Sequence, residues 1–248
     1  MTKKVLLVGE SWTKTTIHVK GFDSFVTSEY ETGEEFIRGA FEQSEDYEYE
    51  HMPAHIAMEE FPYDLEGLKK YDLIILSDIG ANSLLLPNRV FSKSEKTANR
   101  CNLIKEYVLD GGALLMIGGY MTFSGINAAG KWQDTAVQDV LPVKILSTDD
   151  RIETPEGIYP KVVKDHEIFE GVEKEWPHVL GYNKTILKED GKLLATVNED
   201  PFIAVGSYGK GKSAVFTSDS APHWAPPEFV NWKSYNKLFV NIADYLTK

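Results

Sequence analysis

Cysteine is nearly absent: Cys101 is the one such residue in 248. A lone thiol excludes an internal disulfide and fits a reducing compartment. Basic charge is short as well, with 26 Lys and Arg against 38 Asp and Glu and a formal net charge of -12. The cationic residues are scattered, so nothing offsets repulsion from phosphate backbones or anionic lipid, and neither nucleic acid nor a membrane surface is expected as a partner. No apolar run approaches the length of a membrane span, and the opening MTKKVLLVGE carries an apolar stretch too short for a signal-peptide core. The expected setting is cytoplasmic. A phosphate loop is missing too: Ser207-Tyr208-Gly209-Lys210-Gly211-Lys212 lacks the full Gly-x-x-x-x-Gly-Lys-Ser/Thr spacing and leads into a strand, which suits a hairpin connection.

Apolar residues make up 42% of the chain, enough to bury a sizeable core as one large domain, 1–248, with no repeat or linker dividing it. Strand and helix signals alternate in the first half. Val5–Val8 is an apolar strand closed by Gly9, Glu34–Phe41 puts Phe36, Ile37, Ala40 and Phe41 on one helical face, and Tyr47–His51 is a second strand. Tyr71–Leu76, the helix Ala98–Leu109 and Ala113–Ile117 continue the rhythm. Short apolar strands separated by helices imply a parallel sheet covered on both faces. Leu141–Ile145, Lys161–Val163, Leu193–Val197, Phe202–Ser207 and Ser213–Thr217 have few helices between them and predict an antiparallel extension, closed by a helix over Trp232–Leu246. The expected fold is a flavodoxin-like α/β three-layer sandwich.

In such sheets ligands bind at the carboxyl ends of the strands. There the run Ala113–Gly125, ALLMIGGYMTFSG, is the most telling: a buried strand breaks at Gly118-Gly119, a sharp turn that would lift one side chain above the sheet edge. An enzyme of this architecture would present its nucleophile at that point. Tyr120 stands there, a phenol with an ordinary pKa of about 10 and a poor nucleophile at neutral pH.

The turn Ile117-Gly118-Gly119-Tyr120-Met121, the pattern Asp165-His166-Glu167-Ile168-Phe169-Glu170-Gly171-Val172 and the closing Tyr208-Gly209-Lys210-Gly211 through Ser218-Asp219-Ser220-Ala221-Pro222-His223-Trp224 resemble the class I glutamine amidotransferase-like superfamily. The similarity is strongest to its bacterial glutamine amidotransferase-like branch, with trehalose-utilisation-type proteins as more distant relatives. The resemblance implies a Gly-x-Cys-x-Gly elbow and a late His-x-Glu pair for releasing ammonia from glutamine. The matching elbow is Gly118-Gly119-Tyr120-Met121-Thr122, without the cysteine or the second glycine, and His223 is followed by Trp224 and Ala225. Glutaminase chemistry is therefore not expected.

The strand ends gather a different constellation. Tyr120, His223 and Asp219 are the candidate catalytic residues, with Glu10, Trp12, Asp78, Asn82, Thr122, Ser124 and Trp224 as candidate ligand contacts. Aromatic faces and carboxylates suit a small polar metabolite such as a carbohydrate. His223 with a carboxylate could alternatively serve a hydrolase or isomerase, and a third reading is a non-catalytic oligomeric scaffold. No metal ligands or cofactor are assigned. A homo-oligomer is expected, with the loops Gly21–Tyr30 and Pro87–Lys96 and residues Trp176 and Phe229 as candidate contacts. The plain alternatives are that Tyr120 braces an elbow that has lost its chemistry, and that Cys101 is a core residue.

Overall fold

Residues 5–8, 73–76 and 113–117 are apolar at every position because helices cover both faces of the sheet they form, so no polar alternation is needed. The computed structural model describes residues 2–248. Its first half runs β1 (Lys3–Gly9), β2 (Ser11–Lys20), β3 (Asp23–Thr32), α1 (Glu35–Glu42), β4 (Tyr47–Met52), α2 (Ala54–Glu60), α3 (Leu65–Leu68), β5 (Leu73–Ser77), α4 (Ala81–Leu85), α5 (Asn88–Phe91), α6 (Arg100–Leu109) and β6 (Ala113–Ile117). The second half runs β7 (Val143–Ile145), β8 (Arg151–Ile158), β9 (Lys161–Val162), β10 (Val179–Asn183), β11 (Thr185–Leu187), β12 (Lys192–Val197), β13 (Asp200–Tyr208), β14 (Gly211–Phe216), α7 (Pro227–Val230) and α8 (Tyr235–Leu246).

The central sheet has eight strands in the order β4-β1-β5-β6-β14-β13-β12-β9. From β4 to β14 neighbours are parallel; from β14 to β9 they are antiparallel, as expected for the second half. The period of two along each strand divides the core. Val5, Leu7, Leu73 and Ile75 pack with α1 and α8, through Ile37, Phe41, Leu238, Phe239 and Ile242. Leu6, Val8, Ile74 and Leu76 face the other way, towards Ala57, Leu68, Leu84, Ile104 and Val108 on α2, α3, α4 and α6. The result is a flavodoxin-like three-layer sandwich. Helix α6 begins where Asn99 accepts the N–H groups of Cys101 and Asn102 at 3.0 and 3.2 Å. Its Arg100 is fully buried and donates to five backbone carbonyls, those of Leu84, Ala57, Phe61, Met58 and Ser83.

Several details differ from the sequence expectation. Gly21–Tyr30 is not a loop: it turns and completes a long antiparallel hairpin in which Ser11 pairs with Thr32 and Lys20 with Asp23. Pro87–Lys96 contains the short helix α5. Trp176 and Phe229 are buried and pack among aromatic neighbours, so neither is open to a subunit contact. The expected strand at Leu141–Ile145 shortens to β7, which pairs with β11 outside the main sheet. The ribbon of β8 and β10, unforeseen from sequence, is hydrogen-bonded to the turn after β6 through Glu153 and Asn183. Among the described residues, no helix is long and apolar enough to cross a membrane.

Candidate functional site

β1, β5, β6 and β14 end side by side, and the segments that follow them supply Glu10, Asp78, Tyr120 and Asp219 to one cleft of about 350 Å³. Two of these ends bear unusual backbone: Glu10 and Asp78 adopt φ of 45° and 42°, the left-handed region where a non-glycine residue is strained. Both side chains line the cleft. Glu10 is buried, accepts the Ser77 hydroxyl at 2.5 Å and lies 3.4 Å from the Ser220 hydroxyl. Burial, reinforced by the charges of Asp219 and Asp78, holds its carboxyl well above the usual range, so it stays protonated where ordinary glutamates ionise. Burial and the Asp219 charge also push Asp78 up to about 6, despite the N–H of Met121 donating to Asp78 Oδ1 at 2.8 Å.

The elbow is built from glycines for steric reasons. A Cβ on Gly118 would meet the Thr217 carbonyl oxygen at 2.3 Å, and Gly119 has φ of +148° with Asp78 Oδ1 2.8 Å from where its Cβ would be. Gly119 N–H donates to Asn183 Oδ1 at 3.0 Å, and Asn183 Nδ2 donates to Asp150 at 2.8 Å. Asp150 also accepts the N–H groups of Ser124 and Gly125, fixing the loop beyond the elbow.

Tyr120 emerges from this turn against an aromatic cluster. The edge-on ring of His223 is 4.3 Å from its centroid and that of Trp224 5.6 Å. Glu153 on β8 accepts from the Tyr120 hydroxyl and from Trp224 Nε1, both at 2.9 Å, while the Arg151 guanidinium lies 4.7 Å from the Tyr120 ring centroid. Desolvation and Glu153 raise the phenol's pKa further, so it is a wall and a hydrogen-bond donor with no tendency to ionise. His223 Nδ1 lies 3.8 Å from Asp219 Oδ2, and this partner raises the imidazole's pKa above its ordinary value.

The cleft is lined by Glu10, Trp12, Asp78, Tyr120, Asp219 and His223, six of the candidates. Four others do not line it. Asn82 is exposed on α4, Thr122 is buried with its hydroxyl unpartnered, and Ser124 is buried, its hydroxyl donating to the Leu146 carbonyl and to Gln133. Trp224 lies buried behind Tyr120. Lys14 and Glu31, paired across the hairpin, line the cleft and were missed because no strand was expected over Ser11–Lys20 and the expected loop, Gly21–Tyr30, stops short of Glu31. Glu153 and Arg151 were missed with β8. Among the described residues, no group of three or more His, Cys, Asp or Glu side chains is arranged to hold a metal ion.

Comparison with known proteins follows the same architecture. The chain matches the family described as "Putative glutamine amidotransferase" over residues 4–248. Two solved structures from Salmonella typhimurium are similar over nearly their whole length. Cytoplasmic Protein STM3548 is 41% identical with a TM-score of 0.94, covering 98% of both chains. Cytoplasmic Protein STM1381, from strain LT2, is 43% identical with a TM-score of 0.95, covering 99% of this chain and 100% of that one. A thua-like protein from Parabacteroides merdae ATCC 43184 shares the fold at 11% identity and a TM-score of 0.60, covering 100% of this chain and 90% of its own. No curated protein matches the chain. Matched over residues 4–248, the chain belongs to the glutamine amidotransferase-like family.

Proposed function

We propose that the cleft binds a small, uncharged, hydroxyl-rich metabolite of the carbohydrate class, and that the chain, acting as one domain in a cytoplasmic setting, releases no ammonia from glutamine. The observation that carries this reading is the convergence of Glu10, Asp78 and Asp219 with the aromatic rings of Trp12 and Tyr120 in one cleft. Ring faces pack on the C–H face of a pyranose, carboxylates accept its hydroxyl protons, and protonated Glu10 adds a donor. The acidic lining disfavours phosphorylated or carboxylated ligands. The cytoplasmic setting is that named for the two Salmonella proteins.

Calorimetric titration with neutral monosaccharides, sugar alcohols, sugar acids and glutamine tests this. Binding of a neutral polyol that is lost in Tyr120→Ala and His223→Ala is the expected result. Preference for anionic ligands, or ammonia release from glutamine, overturns it.

One observation favours a second reading, acid–base catalysis on the same ligand class. It is supported by Asp78 pushed up to about 6 and His223 raised above its ordinary value by Asp219, two titratable groups lining one cleft. Exchange of a substrate C–H proton for solvent deuterium, followed by NMR with the native chain and absent with His223→Ala, separates an isomerase from a binding protein.

A further inference from the structure

The β2–β3 hairpin stands off the sheet as an arm ten residue pairs long, closed by a two-residue turn at Gly21 and Phe22. Two-stranded ribbons are marginal in water unless something covers a face. Cross-strand pairing assigns each residue to a side. Trp12, Lys14, His18 and Lys20 share one face with Glu31, Glu29, Phe25 and Asp23, and at its base this face supplies Trp12, Lys14 and Glu31 to the cleft.

The opposite face carries no charge at all. Thr13, Thr15, Ile17 and Val19 oppose Tyr30, Ser28, Val26 and Ser24. Tyr30 leans edge-on against His55 of α2, 5.2 Å between ring centroids, and beyond it the face is open: Ile17 is 67%, Val19 70% and Val26 59% exposed. In a chain with 26% charged residues, such a face is protected from charge along its whole length.

We propose that this uncharged face is the contact with a second copy of the chain. Charge selects the occupant. Two copies at -12 each repel over most of their surface, and a charge-free β face is where like can meet like without facing its own charge. A basic partner would be met by carboxylates, and this face has none. Area sets the arrangement. At about 3.3 Å per residue the arm is about 33 Å long and about 10 Å wide, so one face covers about 330 Å². A standard interface needs about 800 Å² from each partner. Two arms meeting by this face about a two-fold axis bury about 330 Å² from each protomer, and the bodies beside the arm roots must supply the rest. The cleft wall at Trp12, Lys14 and Glu31 is then steadied by the partner's grip on the same arm. The inference is independent of what the cleft binds.

The test is the mass of the full chain by light scattering coupled to gel filtration. The native chain is expected at twice its chain mass or more, and Ile17→Glu with Val26→Glu is expected to raise the dissociation constant at least about a hundredfold, with unchanged circular dichroism. Thr16→Glu, at the same height on the charged face, is the control and keeps the native mass. A native chain that is monomeric at about 100 µM overturns the proposal. So does an Ile17→Glu/Val26→Glu chain that keeps the native mass, or a Thr16→Glu chain that dissociates as readily.

Discussion

Asp78 Oδ1 accepts the backbone N–H of Met121 at 2.8 Å, across the gap between the ends of β5 and β6. In nucleophile elbows of this shape, the N–H of the residue after the nucleophile faces the oxyanion of the reaction intermediate. Here it is committed to a carboxylate of the same chain. We read the turn as a degenerate nucleophile elbow on two counts: Tyr120 holds the place a nucleophile would take, and Asp78 accepts the N–H that would face an oxyanion.

Tyr120→Cys is therefore expected to leave the chain without glutaminase activity. The new thiol should alkylate with iodoacetamide, showing that it is exposed, while a coupled ammonia assay with glutamine stays at the level of the native chain. Ammonia release from this single variant would mean that Asp78 does not block the oxyanion position.

Gly119→Ala probes the same contact from the other side. At φ of +148° the new Cβ is strained and would lie 2.8 Å from Asp78 Oδ1. A loss of about 2–3 kcal/mol in urea unfolding is expected, together with weakened ligand binding because Asp78 must move.

Glu10 makes the native state sensitive to alkali. The folded carboxyl keeps its proton at pH values where the unfolded one, near 4.5, has lost it. Its favourable contribution is complete below that unfolded value and is lost as pH rises towards the folded one. Asp78 adds a loss of the same sign between 3.8 and about 6. Glu10→Gln, which cannot ionise, should be more stable than the native chain at about pH 8 and lose that advantage near pH 5. Urea midpoints across this range decide it; a constant difference would place the Glu10 proton outside the coupling.

Arg100→Met should cost about 3–5 kcal/mol, since five buried or part-buried carbonyls lose a donor worth about 1 kcal/mol net each. Thermal unfolding measures it. Arg100→Lys should recover little, because one ammonium cannot reach five acceptors around a planar guanidinium.

The parallel strands were legible because burial on both faces writes itself as unbroken apolar runs, such as residues 5–8 and 73–76. The hairpin was not legible by that rule. Both its faces are wet over most of its length, so Thr13, Thr15, Thr16, Ile17 and Val19 form no apolar run, and polar–apolar alternation is confined to residues 16–20. Their β-branched density before Gly21 was the available signal. Glu10, Asp78 and Tyr120 could be placed in the site because Glu10 and Asp78 directly follow apolar strands and Tyr120 follows one after the glycine pair. Glu153 and Lys14 could not, since pairing between ribbons, rather than local sequence, brings them to Tyr120 and the cleft.

The pairing of β14 with β6, Lys212 against Ala113 and Phe216 against Ile117, has a kinetic consequence. Glu10, Asp78 and Tyr120 come into register as soon as β1, β5 and β6 associate, whereas Asp219 and His223 arrive with β14, about a hundred residues further along the chain. Closing so long a loop is slow relative to local pairing. The cleft is thus expected among the last features to assemble during refolding, so that ligand capture should report the finished sheet rather than its first half.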